Sequence, residues 1–533
     1  MIKSKATTQD TAAFCEKFSD LMHKPLGKTG LEISASGFGA YRVDFRVHEH
    51  FEALEHAISN GINLIDTSSN YSDGGSEILI GNVLGDMINK GTLKREEIVI
   101  VTKGGYIQGK NLEKVKQREV DGNPYKEIIE YTDTLWHSIH PEFLADQIAD
   151  SLDRMKLETI DVYLLHNPEY FLDSPVAKDL EPDEVRHEYY NRIKKAFEFL
   201  ESEVDAGRIS CYGISSNAFV YSEEDRTFTS PELCLKAAEE IKADNHFYVI
   251  EFPLNLFEKN ALTSKNQKAN TKTVLDIASE NNLGVLVNRP LNAIYEKKLA
   301  RLADFKTNKE YFKLDEAQIV AEINLLSSME EDFLKEYLDV LKLSEQNNEA
   351  VNYFLKAGQV LKENWKNFGS IENFNDVKKQ FLIPRVNYAF SVIINSPNLT
   401  NEMRNRLDAI AKQVNKMMEM FETIYGIFAN SRSKKLHEKL NSLTGENETA
   451  WFKDLALSQK AIHILNSLDG ISCTLVGMRQ KKYVDDIIKS LKLPAIEKPE
   501  KMVEEAGKIS SVDNIKESGK GKRKSKSKKK RDA

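Results

Sequence analysis

Short runs of β-branched residues alternate with longer amphipathic runs along the first 300 positions of this 533-residue chain. In the longer runs, apolar residues recur every three or four positions, which places them on one face of a helix. Strands that alternate with helices favour a parallel sheet. The candidate strands are Ile33–Gly39, Ile62–Asp66, Ile98–Thr102, Ile160–Leu165, Ile209–Ile214, Phe247–Phe252, Gly284–Asn288 and Ser472–Val476. Eight repeats predict an α/β fold, a closed (β/α)8 TIM barrel rather than an open sheet.

Polar residues stand where the apolar strand runs stop. Asp66 ends the second run, Lys103 follows the third and His166 follows the fourth. In a barrel of parallel strands these ends converge on one rim, where active sites are built. A single polar strand end is common because loops are hydrated. An aspartate, a lysine and a histidine at three such ends favour one shared site.

A second pattern occupies residues 294–454, which contain few glycines and prolines. Apolar residues form two stripes at helical spacing, and such stripes must bury a face. The first stripe is Ile319, Ile323, Leu326, Phe333, Tyr337, Leu338 and Leu341, and the second is Met403, Leu407, Ile410, Val414, Met417, Phe421, Ile424 and Phe428. The sequence therefore predicts a large α-helical insertion, which we expect to be a self-packed bundle, a lid or a partner surface.

The composition is that of a globular protein outside membranes. Hydrophobic residues make up 41% and charged residues 29% of the chain, and no apolar run reaches the roughly 18 residues that span a bilayer. The four cysteines are scattered, so neither a disulfide framework nor a metal site is expected. The sequence predicts a cytoplasmic protein without membrane contact and without a metal.

Charge is distributed unevenly along the chain. The net charge is −8, yet the segment from Lys520 to Ala533 contains nine Lys or Arg and one Asp. With no apolar residue to bury, the stretch Lys520–Arg531 is predicted to be disordered. Such a tail either remains solvated or binds polyanions weakly and in a salt-sensitive way.

Four segments follow from these patterns. We expect residues 1–23 to be an N-terminal extension and residues 24–293 with 455–495 to form the barrel. Residues 294–454 would form the helical insertion, and residues 496–533 a linker with the disordered Lys/Arg-rich tail.

Several motifs together resemble the aldo-keto reductase family. LIDTSSNY at 64–71, TKGG at 102–105 and LLHNP at 164–168 match its catalytic segments. GISSN at 213–217 and LVGMR at 475–479 match its cofactor-binding segments. Each motif alone is weakly specific, but the set occurs in the family's order over about residues 24–293 and 455–492.

The resemblance implies an NAD(P)(H)-dependent oxidoreductase that interconverts an aldehyde, ketone or sugar carbonyl with an alcohol. Its catalytic tetrad carries over onto Asp66, Tyr71, Lys103 and His166. Tyr71 would be the general acid/base, and because tyrosine has an ordinary pKa of about 10, we expect the Lys103 ammonium to lower the pKa of Tyr71. Asp66 would hold Lys103, and His166, neutral or charged, would orient the carbonyl.

The resemblance also implies NADP(H) or NAD(H) as the cofactor. The implied contacts are Ser215, Ser216, Asn217, Glu251, Asn288, Arg289, Leu291, Gly477, Met478 and Arg479. Glu251 stands where the family usually has glutamine, and Asn288 where many members have tyrosine. Gln480 and Tyr483 stand where basic residues often bind the 2′-phosphate of NADPH. The choice between the two nucleotides therefore stays open.

The departures at Glu251, Asn288 and Gln480 also leave a second class of function open. The alternative is a regulatory or interaction protein that keeps the barrel and the cofactor but turns over little. The partners expected for the enzyme are a small carbonyl or alcohol substrate, with weak polyanion binding confined to the basic tail.

Overall fold

In a computed structural model of the chain, the described residues are 1–179, 181–295, 298–305, 307–311 and 313–508. The strands are β1 His23–Pro25, β2 Glu32–Ser34, β3 Ser36–Gly39, β4 Leu64–Asp66, β5 Val99–Gly104, β6 Tyr106–Ile107, β7 Ile129–Thr132, β8 Leu135–His137, β9 Ile160–His166, β10 Ile209–Ser215, β11 Phe247–Pro253, β12 Gly284–Asn288, β13 Asn292–Tyr295, β14 Lys298–Arg301 and β15 Cys473–Val476. The basic tail, predicted to be disordered, lies outside the described residues.

The helices alternate with the barrel strands and then dominate the insertion. They are α1 Thr8–Lys17, α2 His48–Ser59, α3 Gly75–Asn89, α4 Gly109–Val120, α5 Pro141–Met155, α6 Pro175–Lys178, α7 Pro182–Asp205, α8 Pro231–Ile241, α9 Asn260–Thr263, α10 Val274–Glu280, α11 Glu316–Tyr337, α12 Glu345–Phe354, α13 Ala357–Asn364, α14 Ile371–Val377, α15 Ile383–Ile394, α16 Asn401–Asn441, α17 Glu446–Phe452, α18 Leu457–Asn466, α19 Lys481–Leu491 and α20 Pro499–Ala506.

Eight parallel strands close into a barrel. Their order around it is β3, β4, β5, β9, β10, β11, β12 and β15, and β15 pairs back to β3 with Thr474 opposite Ser36. The strand interiors are buried on both faces, as strands enclosed by helices must be. The predicted (β/α)8 barrel is confirmed, as is a large helical region between its seventh and eighth strands.

The first predicted strand, Ile33–Gly39, is two strands in the structure. Its first half, β2, pairs antiparallel with β1, whereas its second half, β3, joins the barrel. The Ser34 hydroxyl donates to the Ser36 carbonyl at 2.8 Å, and the Ser34 N–H donates to Asn63 Oδ1 at 2.8 Å. These local bonds turn the chain from the hairpin into the barrel, which a continuous apolar pattern does not reveal.

A small three-stranded antiparallel sheet between β5 and α5 was not predicted. Its order is β6, β8, β7, and Tyr106 in β6 lies opposite His137 in β8. Its core contains Ile107, Val115 and Trp136. The strands are two to four residues long, too short for an alternating pattern to stand out.

The chain divides into two compact units, the first containing residues 1–293 and 440–507 and the second containing residues 294–439. The second unit has its own core, in which Leu326, Phe374, Met417 and Phe421 are fully buried. Phe428, at the end of the second predicted stripe, is instead 43% exposed. The two-stranded sheet of β13 and β14 was not predicted.

The first unit resumes before the last barrel strand. It includes residues 440–454, which the sequence pattern assigns to the insertion. It also includes α20, within the segment expected to be a linker, where Met502 and Val503 are buried. The amphipathic spacing of this short helix explains why it packs.

Gly213 marks a close approach between two barrel strands. A Cβ at this position would lie 1.7 Å from the carbonyl oxygen of Val249 in the neighbouring strand β11. Since neither backbone can move without breaking the barrel register, we expect Gly213→Ala to destabilise the protein by about 3 kcal/mol or more. Chemical unfolding followed by circular dichroism measures this change.

Gly85 provides the matched control, because it lies inside α3 and a Cβ there meets nothing within 4 Å. Gly85→Ala should leave stability unchanged or raise it by about 0.5–1 kcal/mol through helix propensity. Equal stability of the Gly213→Ala variant and the wild type would contradict the close strand approach.

Candidate active site

Three residues of the predicted tetrad lie at the carboxyl ends of neighbouring barrel strands. Asp66 is the last residue of β4, Lys103 is the fifth of six in β5, and His166 is the last of β9. Tyr71 begins a short 3-10 turn, Tyr71–Gly74, just beyond β4. The parallel arrangement brings all four to one rim, although 100 residues separate the first from the last.

Lys103 is the centre of the site. Its side chain is fully buried, and its ammonium donates to the Asp66 carboxylate and to the Thr67 carbonyl at 3.1 Å. The second carboxylate, Glu251, places Oε2 3.3 Å from Lys103 Nζ. A buried ammonium is tolerated only when nearby groups compensate its charge, and here two carboxylates do so.

Tyr71 lies beside this ion pair. The Lys103 ammonium is 5.4 Å from the centre of the Tyr71 ring, and the Tyr71 and His166 ring centres are 6.1 Å apart. The turn that carries Tyr71 contains two non-glycine residues with positive φ, Ser72 at 51° and Asp73 at 56°. Such backbone needs support from its surroundings, and the Ser72 hydroxyl supplies some by donating to the Val43 carbonyl at 2.6 Å.

The expected lowering of the Tyr71 pKa is wrong for this structure. Burial of its hydroxyl raises the pKa of Tyr71 above the ordinary tyrosine value, and the Lys103 charge only partly opposes this. The Asp66 and Glu251 carboxylates raise it further. The sequence revealed the neighbouring ammonium but not the burial or the second carboxylate, so Tyr71 remains protonated at neutral pH.

In the ion pair between Lys103 and Asp66, burial and the neighbouring charges also shift the pKa values in opposite directions. Burial raises the pKa of Asp66 to about 7 against the opposing effect of Lys103. Burial acts to lower the pKa of Lys103, but the Asp66 and Glu251 carboxylates raise it above the ordinary lysine value. Lys103 is therefore a permanent cation held between two acidic groups.

His166 is a neutral imidazole. Burial, reinforced by the charge of Lys103, lowers the pKa of His166 well below its ordinary value. Its Nδ1 lies 3.0 Å from the Ser68 hydroxyl, and the Tyr106 ring packs edge-on at 4.6 Å between ring centres. The His137 Nε2–H donates to the His166 carbonyl at 2.8 Å. These contacts fix the ring and leave its opposite nitrogen facing away from Ser68.

The residues predicted to bind nicotinamide form a connected group at the ends of β10, β11 and β12. The Ser215 hydroxyl donates to Glu251 Oε1 at 3.0 Å, and the Asn288 amide donates to the same oxygen at 2.9 Å. The Ser216 hydroxyl accepts from the Ala218 N–H at 3.0 Å, so its role here is to begin the turn after β10. The structure thus brings Ser215, Glu251 and Asn288 together beside Lys103.

The other predicted contacts differ in exposure and partners. The Asn217 N–H donates to Glu169 at 3.0 Å, and the Arg289 guanidinium donates to Glu258 at 2.7 Å. Leu291 and Arg479 are partly exposed, and Gly477 is exposed. The Met478 side chain is fully buried, so only its backbone is available to a ligand.

Buried polar atoms show that this rim fits a polar, phosphate-bearing ligand. Within the described ranges, Asn288 Oδ1 and Arg289 Nε are buried and have no hydrogen-bond partner. A carboxamide N–H would satisfy the first, and a phosphate oxygen would satisfy the second. A Cβ at Gly477 would meet nothing within 4 Å, so space is open beside the backbone there.

Several residues around the site were not found from the sequence. Glu169 is buried, and burial raises its pKa to about 7. The rings of Tyr106, Tyr170 and His137 pack against one another beside His166. Tyr106 follows Lys103 by three positions and Glu169 follows His166 by three, so their nearness to the motifs was a signal.

The model of the Aldo/keto reductase family matches residues 37–507. The chain therefore belongs to the aldo/keto reductase family, which confirms the resemblance of its motifs.

Relatives match parts of the chain. A protein named NADH-specific methylglyoxal reductase from Escherichia coli (strain K12) is 29% identical over 29% of this chain and 44% of its own length. NAD(P)H-dependent D-xylose reductase from Scheffersomyces stipitis is 24% identical over 35% of this chain and 50% of its own length. The chain thus spans about half the length of these curated relatives.

A solved aldo-keto reductase from Bacillus halodurans, in its holo form, is 13% identical, with a TM-score of 0.45 over 92% of this chain and 98% of its own.

In the part of the chain that the structure describes, no helix has the length and apolar character needed to cross a membrane.

The buried His137 makes stability depend on pH. Burial lowers the pKa of His137 to about 4, whereas an unfolded histidine has a pKa of about 6.5. Below pH 6.5 the unfolded state therefore binds a proton that the folded state does not, and stability falls as the pH falls towards 4. This contribution amounts to roughly 3 kcal/mol at the acid end.

We expect His137→Gln to gain stability relative to the wild type between pH 6.5 and pH 4, measured by urea unfolding at each pH. Glutamine keeps a donor for the His166 carbonyl but has no proton to bind in this range. His48→Gln is the control, because the His48 side chain is 84% exposed. A constant difference between His137→Gln and wild type across this range would refute the prediction.

Proposed function

We propose that this chain is a nicotinamide-dependent oxidoreductase that interconverts a carbonyl and an alcohol. The observation that carries the proposal is the meeting of Asp66, Tyr71, Lys103 and His166 at one barrel rim, beside Ser215 and Asn288. Family membership supports the same class of reaction. The relatives named as reductases of methylglyoxal and xylose indicate small carbonyl compounds as the substrate class.

Carbonyl reduction needs a hydride on carbon and a proton on oxygen. The bound nicotinamide supplies or takes up the hydride. Tyr71 donates the proton from its hydroxyl, which its raised pKa keeps in place until the oxygen becomes basic. His166, neutral and anchored through Nδ1 by Ser68, presents its other ring nitrogen to the substrate oxygen. In alcohol oxidation the same groups act in reverse.

Lys103 and Asp66 act through Tyr71. The Lys103 ammonium stabilises the negative charge that develops on the Tyr71 oxygen as its proton leaves, and Asp66 holds Lys103 in place. Ser215 and Asn288 would hold the carboxamide, with Ser216, Asn217 and Glu251 behind them. Arg289, Leu291, Gly477, Met478 and Arg479 would line the path of the phosphates and adenosine.

Replacing Tyr71 by Phe tests the catalytic role. The variant keeps the ring but removes the proton that must reach the substrate oxygen, so we expect turnover to fall by about 10²–10⁴-fold. Nucleotide binding should remain within a few-fold of the wild type. Nucleotide absorbance at 340 nm with a panel of aldehydes and sugars measures turnover, and fluorescence titration measures binding.

Tyr163→Phe is the matched control, because Tyr163 is a fully buried barrel tyrosine whose hydroxyl has no hydrogen-bond partner among the described residues. Its turnover should equal that of the wild type. Full turnover by Tyr71→Phe would exclude Tyr71 as the proton donor. Nucleotide binding without turnover by the wild type would favour the regulatory alternative.

We further infer that the adenosine end prefers NADH to NADPH. At the start of α19, Gln480 donates to Glu49 at 3.1 Å, and Lys481 pairs with Glu52 at 3.5 Å. Both carboxylates lie on α2, where they would repel a 2′-phosphate and already occupy Lys481. The name of the NADH-specific relative agrees with this preference.

Glu52→Gln should raise the affinity for NADPH about threefold at low salt, because it removes a repulsive charge and releases Lys481. The affinity for NADH should not change, and the gain should shrink at high ionic strength. Glu55→Gln, on the same helix but paired with Lys90 at 3.5 Å, is the control. Tighter binding of NADPH than NADH by the wild type would contradict the inference.

A further inference from the structure

Glu251 is a buried carboxylate whose two oxygens have different surroundings. Its side chain is 2% exposed. Oε1 accepts from Ser215 at 3.0 Å and from Asn288 at 2.9 Å. Oε2 has no hydrogen-bond partner among the described residues, and its charge neighbour is Lys103 Nζ at 3.3 Å. Oε1 therefore accepts hydrogen bonds from two neighbours, whereas Oε2 interacts with the Lys103 ammonium through its charge.

The charge of this cluster does not cancel. Lys103 contributes one positive charge, and Asp66 and Glu251 each contribute a carboxylate within reach of it. Asp66 takes the shorter contact with the ammonium and is the one that accepts its hydrogen bond. With both carboxylates ionised, the cluster carries one net negative charge, because Glu251 adds a second carboxylate to the Lys103–Asp66 pair.

That charge lies next to the residues that the proposed function assigns to the nicotinamide. Ser215 and Asn288 both donate to Glu251. A nicotinamide ring held by these two side chains would therefore lie close to the Glu251 carboxylate. The same ring must reach a substrate held by Tyr71 and His166, which lie at the same rim of the barrel. The oxidised nicotinamide ring is a cation, whereas the reduced ring is neutral.

We propose that Glu251 is a specificity-determining residue that makes this site bind the oxidised, cationic nicotinamide more tightly than the reduced, neutral one. The inference rests on the proposed function, because it needs a nicotinamide at the rim. In a water-poor site the attraction between a carboxylate and a ring cation is much stronger than in water. With a nicotinamide bound, Glu251 would also stabilise positive charge on the ring.

Glu251→Gln isolates the charge from the hydrogen bonds. Glutamine has the same shape, and its oxygen still accepts from Ser215 and Asn288. Calorimetric titration of the full-length wild type and variant with NAD⁺ and NADH gives the affinity for each form. We expect the preference for NAD⁺ over NADH to fall about tenfold in the variant, mainly through weaker NAD⁺ binding. Affinity for ADP-ribose, which lacks the ring, should stay the same.

Glu201→Gln is the matched control, because Glu201 is a buried carboxylate on α7 that pairs with His246, just before the amino end of β11. It removes the same charge near the opposite end of β11 and should leave both affinities unchanged.

The outcomes separate this inference from the proposed function. A wild type that binds neither nucleotide overturns both. A wild type that binds both, with the same preference in Glu251→Gln, overturns only the role of Glu251. The wild type alone gives a second test if the variant does not fold, because tighter binding of NADH than NAD⁺ would also overturn the inference.

Discussion

The site depends on the buried ion pair between Lys103 and Asp66. A fully buried ammonium is costly, and removing the partner of such a pair typically costs 3–5 kcal/mol, roughly a third of a domain's stability. The barrel compensates this cost because parallel pairing places the end of β4 beside β5, and the Thr67 carbonyl adds a further acceptor. The ion pair with Asp66 also holds the Lys103 ammonium beside the Tyr71 ring. The contact that stabilises the buried ammonium therefore also fixes its position.

Burial determines the protonation states at this rim more strongly than any single neighbouring charge. It raises the pKa of Tyr71 and lowers that of His166, and both shifts favour the uncharged form. The result is two neutral groups, Tyr71 and His166, close to the Lys103 cation and its two neighbouring carboxylates. In the proposed reaction, such a set keeps its proton donor uncharged until the substrate oxygen becomes basic enough to accept the proton.

The sequence predicted the barrel from short-range patterns, whereas the tetrad was implied by the resemblance of the motifs to the aldo-keto reductase family. Apolar runs mark the strands, and the polar residues that end them, Asp66, Lys103 and His166, must share a rim once the strands are parallel. The split of Ile33–Gly39 could not be predicted because local hydrogen bonds decide it. The strand containing Tyr106 could not be predicted because its two residues are too few for an alternating pattern. The sequence also could not predict that the pKa of Tyr71 is raised. This shift depends on burial and on Glu251, which is 180 residues away in the chain.

Glu251 shows why a residue's hydrogen bonds and its charge need separate accounts. As an acceptor from Ser215 and Asn288, it does what a glutamine oxygen would also do. As a charge beside Lys103, it does what no amide can, because it makes the cluster negative rather than neutral. Burying a carboxylate costs more free energy than burying an amide. An amide would accept the same hydrogen bonds, so hydrogen bonding alone does not explain why a carboxylate is present. The charge itself is therefore the feature that needs a functional explanation, and a cationic ring beside it supplies one.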